Sequence, residues 1–269
     1  MQGLSSVNVE LSSMCNKAGD GCFMCGRRKL EREHPEKANW GHMPLSMIKY
    51  VAGQIPPGIF VQLHWNGEST LHPQLPAALA AFKHCYTGLD TNGKLLLKRS
   101  KTLALLDTLT ISIIQDDPEG AKQDEIISKY LTTIKKRPLI VLRVLGRLEE
   151  WRYDNVQFWA RDFGCIIAER VLHSPDGSFD YEKPVTIPEI GVCLEMLHKL
   201  AIDRFGNVSP CVRYDPEGLN SLGNISNNLL TEIWHGTKRQ KWVIRHLGND
   251  RAAVPLCAAC SYYGVPRGY

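Results

Sequence analysis

Seven of the nine cysteines fall into two groups. Cys15, Cys22 and Cys25 form one short C-x6-C-x2-C stretch, and Cys193, Cys211, Cys257 and Cys260 lie near the other end. An odd count in a chain without a secretory start argues against a disulfide framework and for thiolates that bind metal in a reducing compartment. Three thiolates on one loop suit zinc or an iron–sulfur cluster. A cluster held by only three cysteines keeps one iron open to a small molecule that brings amino and carboxylate groups. Four thiolates saturate either a zinc ion or a [4Fe–4S] cluster. Cys85 and Cys165 stand alone and read as small buried apolar residues.

Regular elements must position these groups. Strand patterns cover Val7–Leu11, Ile59–Trp65, Gly88–Thr91, Leu109–Ile114, Leu139–Leu145 and Cys165–Leu172. Helical spacing fills the gaps over Met43–Gln54, Pro73–Cys85, Leu95–Leu106, Glu119–Lys136 and Glu149–Arg161. Short strands alternating with helices predict a parallel sheet, because parallel neighbours need a crossover. An open doubly wound sheet and a partial barrel both satisfy the pattern, and in either one chemistry gathers at the C-terminal ends of the strands. The unusual polar residues lie there. The first cysteine group follows strand one, and Asn66-Gly67-Glu68-Ser69-Thr70 follows strand two. Thr91-Asn92-Gly93 follows strand three, Gln115-Asp116-Asp117 follows strand four, Arg143 lies within strand five, and Glu169, Arg170 and His173 close strand six. His64 reads as a packed strand residue. Ser174–Pro188 reads as a linker. Beyond it come a hairpin (Ala201–Asp203, Asn207–Pro210) and a helix over Leu229–His246, a unit small enough to need metal for stability.

The first cysteine loop resembles that of the radical S-adenosylmethionine (SAM) enzymes, whose usual spacing is C-x3-C-x2-C; here the first gap is three residues longer. Asn66-Gly67-Glu68 resembles the Gly-Gly-Glu segment that binds the SAM amino group in that family, with Asn66 replacing its first glycine. Phe23 stands near the family's aromatic position. Thr91 and Asn92 resemble its end of strand three, and Ser112 and Arg143 match the positions that line the SAM ribose and carboxylate. Asp203–Cys211, Leu222–Ile225 and Glu232–Trp234, with the C-x2-C pair at Cys257 and Cys260, resemble the auxiliary-cluster extension called SPASM in its truncated form, twitch.

The resemblance implies an α/β fold: a partial (βα)6 TIM-type barrel over 1–185, then a small cysteine-rich auxiliary-cluster domain over 186–269. It implies a core [4Fe–4S] cluster on Cys15, Cys22 and Cys25, SAM on its open iron, and an auxiliary [4Fe–4S] cluster on Cys193, Cys211, Cys257 and Cys260. It also implies a radical SAM oxidoreductase that takes a hydrogen atom from a peptide, sugar or nucleoside, reduced by a flavodoxin- or ferredoxin-type donor. Asp116, Asp117, Glu169 and His173 are candidates to touch substrate or move a proton, from strand-end position alone. The alternatives are a non-enzymatic zinc-stabilised binding module and a core that has lost SAM cleavage.

The bulk composition is that of an ordinary globular protein. Hydrophobic residues make up 43%, charged residues 22%, and the net charge of +4 is too mild to indicate nucleic acid. The basic run Lys135-Lys136-Arg137 reads as a solvated helix end. The most apolar stretches, Ile59–Leu63 and Leu139–Leu145, are far shorter than the ~20 residues of a membrane span. No membrane partner and a cytoplasmic location are the expectation.

Overall fold

The computed structural model describes residues 1–17, 22, 25–170, 192–212, 215, 218–258 and 260. Six parallel strands form its core: β1 (Ser6–Val9), β2 (Phe60–Leu63), β3 (Tyr86–Thr91), β4 (Thr108–Ile114), β5 (Leu139–Leu145) and β6 (Ile166–Arg170). Between them run α1 (Gly26–Glu33), α2 (Leu45–Gln54), α3 (Leu75–Ala81), α4 (Leu96–Leu103), α5 (Gly120–Thr133) and α6 (Glu150–Phe163). The strands stand in the sheet in sequence order. Every crossover therefore advances in one direction and, being right-handed, lays its helix on the same face. A doubly wound sheet needs an order reversal; sequential order is that of an open barrel.

Period-2 alternation separates the two faces. Val7, Val9, Val61, Leu63, Leu89, Leu109, Ile111, Ile113, Leu142 and Val144 are buried beneath the helices. The intervening residues are Asn8, Gln62, Asp90, Thr110, Ser112 and Arg143, and register sets Asn8 beside Gln62, Asp90 beside Thr110 and Ser112 beside Arg143. The barrel thus has an apolar outer face and a polar inner one.

The C-terminal part continues the same sheet. α7 (Leu194–His198) leads into β7 (Lys199–Ile202), which pairs parallel with β1; β8 (Asn207–Ser209) and the two-residue β9 (Gly223–Asn224) follow antiparallel. The hairpin turns at Gly206, whose φ of +84° suits glycine. The helix expected over Leu229–His246 is two: α8 (Leu230–His235) and α9 (Thr237–Leu247), broken at the extended Gly236. A Cβ there would stand 3.0 Å from the Glu232 carbonyl oxygen. α10 (Pro255–Ala258) carries Cys257. The linker Ser174–Pro188 and the expected boundary at 185/186 lie outside the described residues. No helix among the described residues is long and apolar enough to cross a membrane.

Candidate cluster and cofactor site

The segment after β1 carries the first cysteines. Cys15 is half-buried, and its thiol is pushed up chiefly by burial. Cys25 is the residue before α1, and its backbone N–H bonds the Cys22 carbonyl at 3.0 Å. The Cys22 thiol is hydrogen-bonded to Cys25, and that bond, reinforced by burial, raises it strongly. Such thiols stay protonated until a cation offsets the charge of the thiolate. Phe23 lies outside the described residues, as do 18–21 and 24.

The loop after β2 is locked to this segment. The Glu68 N–H donates to the Met14 carbonyl at 2.8 Å. A Cβ on Gly67 would stand 2.1 Å from the Ser12 carbonyl oxygen and 2.7 Å from that of Met14, so only glycine allows the two backbones to meet. Glu68 is 2% exposed. Its Oε1 accepts from the Thr70 N–H (3.1 Å) and hydroxyl and from the Thr91 hydroxyl (2.9 Å), and its Oε2 from the Asn92 N–H (2.8 Å). Burial raises its carboxyl, while these donors oppose the rise. Asn92 Nδ2 continues the chain to Asn16 Oδ1 at 2.8 Å and lies 3.8 Å from Cys15 Sγ. Gly67, Glu68, Thr91 and Asn92 are thereby linked to the segment that carries Cys15, and Asn66 precedes them in the chain.

Further along the inner face, Arg143 is ion-paired with the buried Asp90, which also accepts from Gln62 and has His64 Nε2 at 3.8 Å. Burial would raise Asp90, but the charges of Arg143 and His64 and the hydrogen bonds from Arg143 and Thr110 together outweigh it and hold the carboxyl below its usual range. Burial lowers His64. Ser112 stands beside Arg143 in register, and its carbonyl accepts from Gln123 Nε2 at 2.8 Å.

The three described strand-end candidates do not converge. Asp116 is exposed, with φ of +52°, and accepts from Gln115 Nε2 at 2.8 Å. Asp117 is buried against Lys17. Glu169 pairs in register with buried Val144, on the helix-covered face, and is bonded by Tyr153 of α6. His173 lies outside the described residues.

Two buried acids escaped the sequence reading. Asp90 sits mid-strand, where an acid without a partner is costly. Glu10, at the end of β1, is 4% exposed. Its Oε1 accepts from the Asn66 N–H at 3.3 Å and its Oε2 from the Arg204 N–H at 3.1 Å, joining the loop after β2 to the C-terminal hairpin. Burial pushes its carboxyl up to about 7. Glu10 lines a cleft of about 530 Å³ with Trp40, Trp65, Asn66, Arg204 and Phe205.

In the second group, the Cys193 N–H donates to His246 Nδ1 at 3.2 Å, and Asn220 Nδ2 donates to Cys211 Sγ at 3.3 Å. Cys257 and Cys260 share one turn, with a 3.2 Å backbone bond, and the Cys257 carbonyl accepts from Arg251. Burial raises the Cys193 thiol, which also feels the charge of Cys260. Among the described residues, Asn220 Oδ1 and His246 Nε2 are buried without a hydrogen-bond partner. Among the described residues no three His, Cys, Asp or Glu side chains stand closely enough to hold one metal ion. The donor chemistry nevertheless fits clusters at both ends: three soft ligands on one loop beside a glycine cradle, and four with orphaned polar atoms beside them. Cys165 packs in the core; Cys85 is half-buried, its thiol 3.7 Å from the Pro56 carbonyl oxygen.

Residues 193–261 match the SPASM family, an iron–sulfur cluster-binding domain. No curated protein matches the chain. Among solved structures, BtrN in complex with AdoMet and 2-DOIA is similar at 19% identity with a TM-score of 0.63, covering 97% of this chain and 94% of its own. Streptococcus suis SuiB bound to S-adenosylmethionine is 14% identical with a TM-score of 0.64, covering 98% of this chain and 72% of its own. The protein anSMEcpe with bound AdoMet is 15% identical with a TM-score of 0.59, covering 98% and 93%.

Proposed function

We propose that this chain, which carries the fold of radical SAM enzymes and a C-terminal SPASM iron–sulfur domain, is an oxidoreductase that cleaves SAM reductively and takes a hydrogen atom from a small molecule or a peptide. One observation carries the reading. The backbone of Ser12–Met14, just before Cys15, is interlocked with Gly67 and Glu68 at the C-terminal mouth of a barrel whose inner face is polar. SAM is the ligand seen in BtrN, SuiB and anSMEcpe, which share the fold.

Cys15, Cys22 and Cys25 would hold the core cluster. When bound, a [4Fe–4S] cluster supplies the electron that breaks a carbon–sulfur bond of SAM, and the 5′-deoxyadenosyl radical so released removes the substrate hydrogen atom. The chain positions the reactants. Asn66 and Gly67 present main-chain groups beside Cys15 for the amino group of SAM, and Glu68 holds that segment from behind. Arg143, fixed by Asp90, and Ser112 offer polar groups on the inner face for its carboxylate and ribose. The apolar outer shell keeps water from the barrel wall. Asp116 keeps an exposed carboxylate at the mouth, free to meet substrate. Cys193, Cys211, Cys257 and Cys260 would hold a second cluster with every iron ligated, which suits an electron relay and a net oxidation. A flavodoxin- or ferredoxin-type carrier would deliver the electron that starts each cycle.

Anaerobically reconstituted protein, reduced with dithionite, should convert SAM to 5′-deoxyadenosine, and Cys22→Ala should abolish the product. Zinc in place of iron and sulfide, or undiminished product from Cys22→Ala, contradicts the reading.

A further inference from the structure

We propose that Asn220 and His246 are positioning residues of the four-cysteine site: each donates a side-chain N–H to its sulfurs, and together they raise the potential of the cluster held there. This rests on the reading of Cys193, Cys211, Cys257 and Cys260 as cluster ligands. Asn220 is 1% exposed and His246 0%, so both side chains must find their partners inside the protein.

Asn220 reaches a ligand directly. Its Nδ2 donates to Cys211 Sγ at 3.3 Å. A metal-bound thiolate carries no proton and can only accept, so an amide serves it with its nitrogen, the orientation found here. Neighbouring bonds fix both partners. The Asn220 N–H donates to Asp215 Oδ2 at 2.6 Å and the Leu219 N–H to Asp215 Oδ1 at 2.9 Å, while Ser209 Oγ donates to the Cys211 carbonyl at 2.8 Å.

His246 comes from α9. The Cys193 N–H donates to its Nδ1 at 3.2 Å. A ring nitrogen that accepts carries no proton, so the ring proton stands on Nε2. That N–H is buried and has no partner among the described residues, and orphaned buried donors are rare. The ring touches Cys193 and feels the charge of Arg251, which bonds the Cys257 carbonyl. It therefore lies among the four ligands, whose sulfurs become acceptors once they bind metal and complete the accounting for Nε2–H.

Both bonds act on the potential. A reduced cluster carries one more negative charge than an oxidised one. N–H groups that donate to its sulfurs stabilise the reduced form more and raise the midpoint. A raised midpoint suits a centre that receives an electron from the substrate.

The test uses full-length Cys15→Ala/Cys22→Ala/Cys25→Ala as parent, in which only the second cluster can form and electron paramagnetic resonance follows it alone. At the midpoint of the parent, half of that cluster is reduced. Adding Asn220→Leu and His246→Leu together should lower the reduced-to-oxidised ratio at that potential about tenfold, the scale on which outer-shell partners act on metal sites, and each alone should give part of the shift. His246→Gln, whose Oε1 can accept from Cys193 and whose Nε2 can donate, should stay near the parent. Should the leucine variants fail to fold or to load, the parent itself carries the test: with isotope-labelled histidine, electron–nuclear double resonance of its reduced cluster should show a coupled ring nitrogen and an exchangeable proton. Unchanged midpoints in leucine variants that keep the cluster, or the absence of histidine nitrogen coupling, overturn the inference. A parent that assembles no iron–sulfur cluster on the four cysteines overturns the functional reading with it.

Discussion

Gly67→Ala places a methyl group where the loop after β2 crosses the segment before Cys15. The added carbon would meet the Ser12 carbonyl oxygen at 2.1 Å and the Ser13 carbonyl carbon at 2.6 Å, whereas ordinary contact begins near 3.4 Å. Both neighbours are backbone, so no side chain can swing aside, and the segments must part by about 1.3 Å. That displacement acts two to three residues before Cys15 and breaks the 2.8 Å bond from Glu68 to Met14. A misplacement of ~1 Å in a positioned site costs about 10²-fold in rate, or ~2.7 kcal/mol of barrier. Overpacking of this kind costs ~1–3 kcal/mol of stability, less than a domain of this size holds in reserve. Gly67→Ala should therefore fold and yet release 5′-deoxyadenosine about a hundredfold more slowly than wild type. Chromatographic quantification of that product, with thermal melting by circular dichroism, separates the two effects. Gly53→Ala is the control: nothing lies within 4 Å of its new carbon, so its product yield should equal wild type. Wild-type product formation by Gly67→Ala would refute the interlock as the device that positions SAM.

Glu10 makes stability pH-dependent. Its carboxyl lies at about 7 in the fold against an ordinary value of 4.5, so the folded state binds the proton more tightly. Its contribution is greatest below the unfolded value and is lost as pH rises from about 4.5 to 7, by roughly 3 kcal/mol at most. Glu10→Gln should flatten that slope in urea denaturation; equal slopes for the two proteins would contradict it. Arg143→Met strands the Asp90 carboxylate, 4% exposed, and should cost ~3–5 kcal/mol at pH 8. The loss should shrink at pH 5, where the stranded acid can protonate, as urea titrations at the two pH values will show. Cys257→Ala should retain core SAM cleavage with about half the iron, measured by metal analysis; loss of cleavage would mean that the two sites are not separable.

The six-strand frame was legible because each strand carries its own apolar alternation and each helix its own period. The residue pattern alone left strand order open; the family resemblance implied the barrel, and the sequential order from β1 through β6 agrees with it. α1 was invisible because Gly26–Glu33 has almost no apolar residue. It is held instead by Arg27 with Glu31, Lys29 with Glu33, and Arg27 lying 4.2 Å over Trp40. The cysteine groups and Asn66-Gly67-Glu68 stood out by local spacing. The pairs that brace them did not, since Lys17 and Asp117 are 100 residues apart, Asp90 and Arg143 are 53 apart, and Glu10 and Arg204 are 194 apart. Glu169 shows the limit of reading strand ends. One residue of register decides the face, and it placed this acid under α6 with Tyr153.

The most direct test is the electron paramagnetic resonance spectrum of the dithionite-reduced protein before and after SAM is added. Ligation of SAM to an open iron on the Cys15, Cys22 and Cys25 loop predicts a changed core signal in wild type. The same addition should leave the spectrum of Cys15→Ala/Cys22→Ala/Cys25→Ala, which keeps only the second site, unaltered. A wild-type spectrum indifferent to SAM, or one without any cluster signal, contradicts the account.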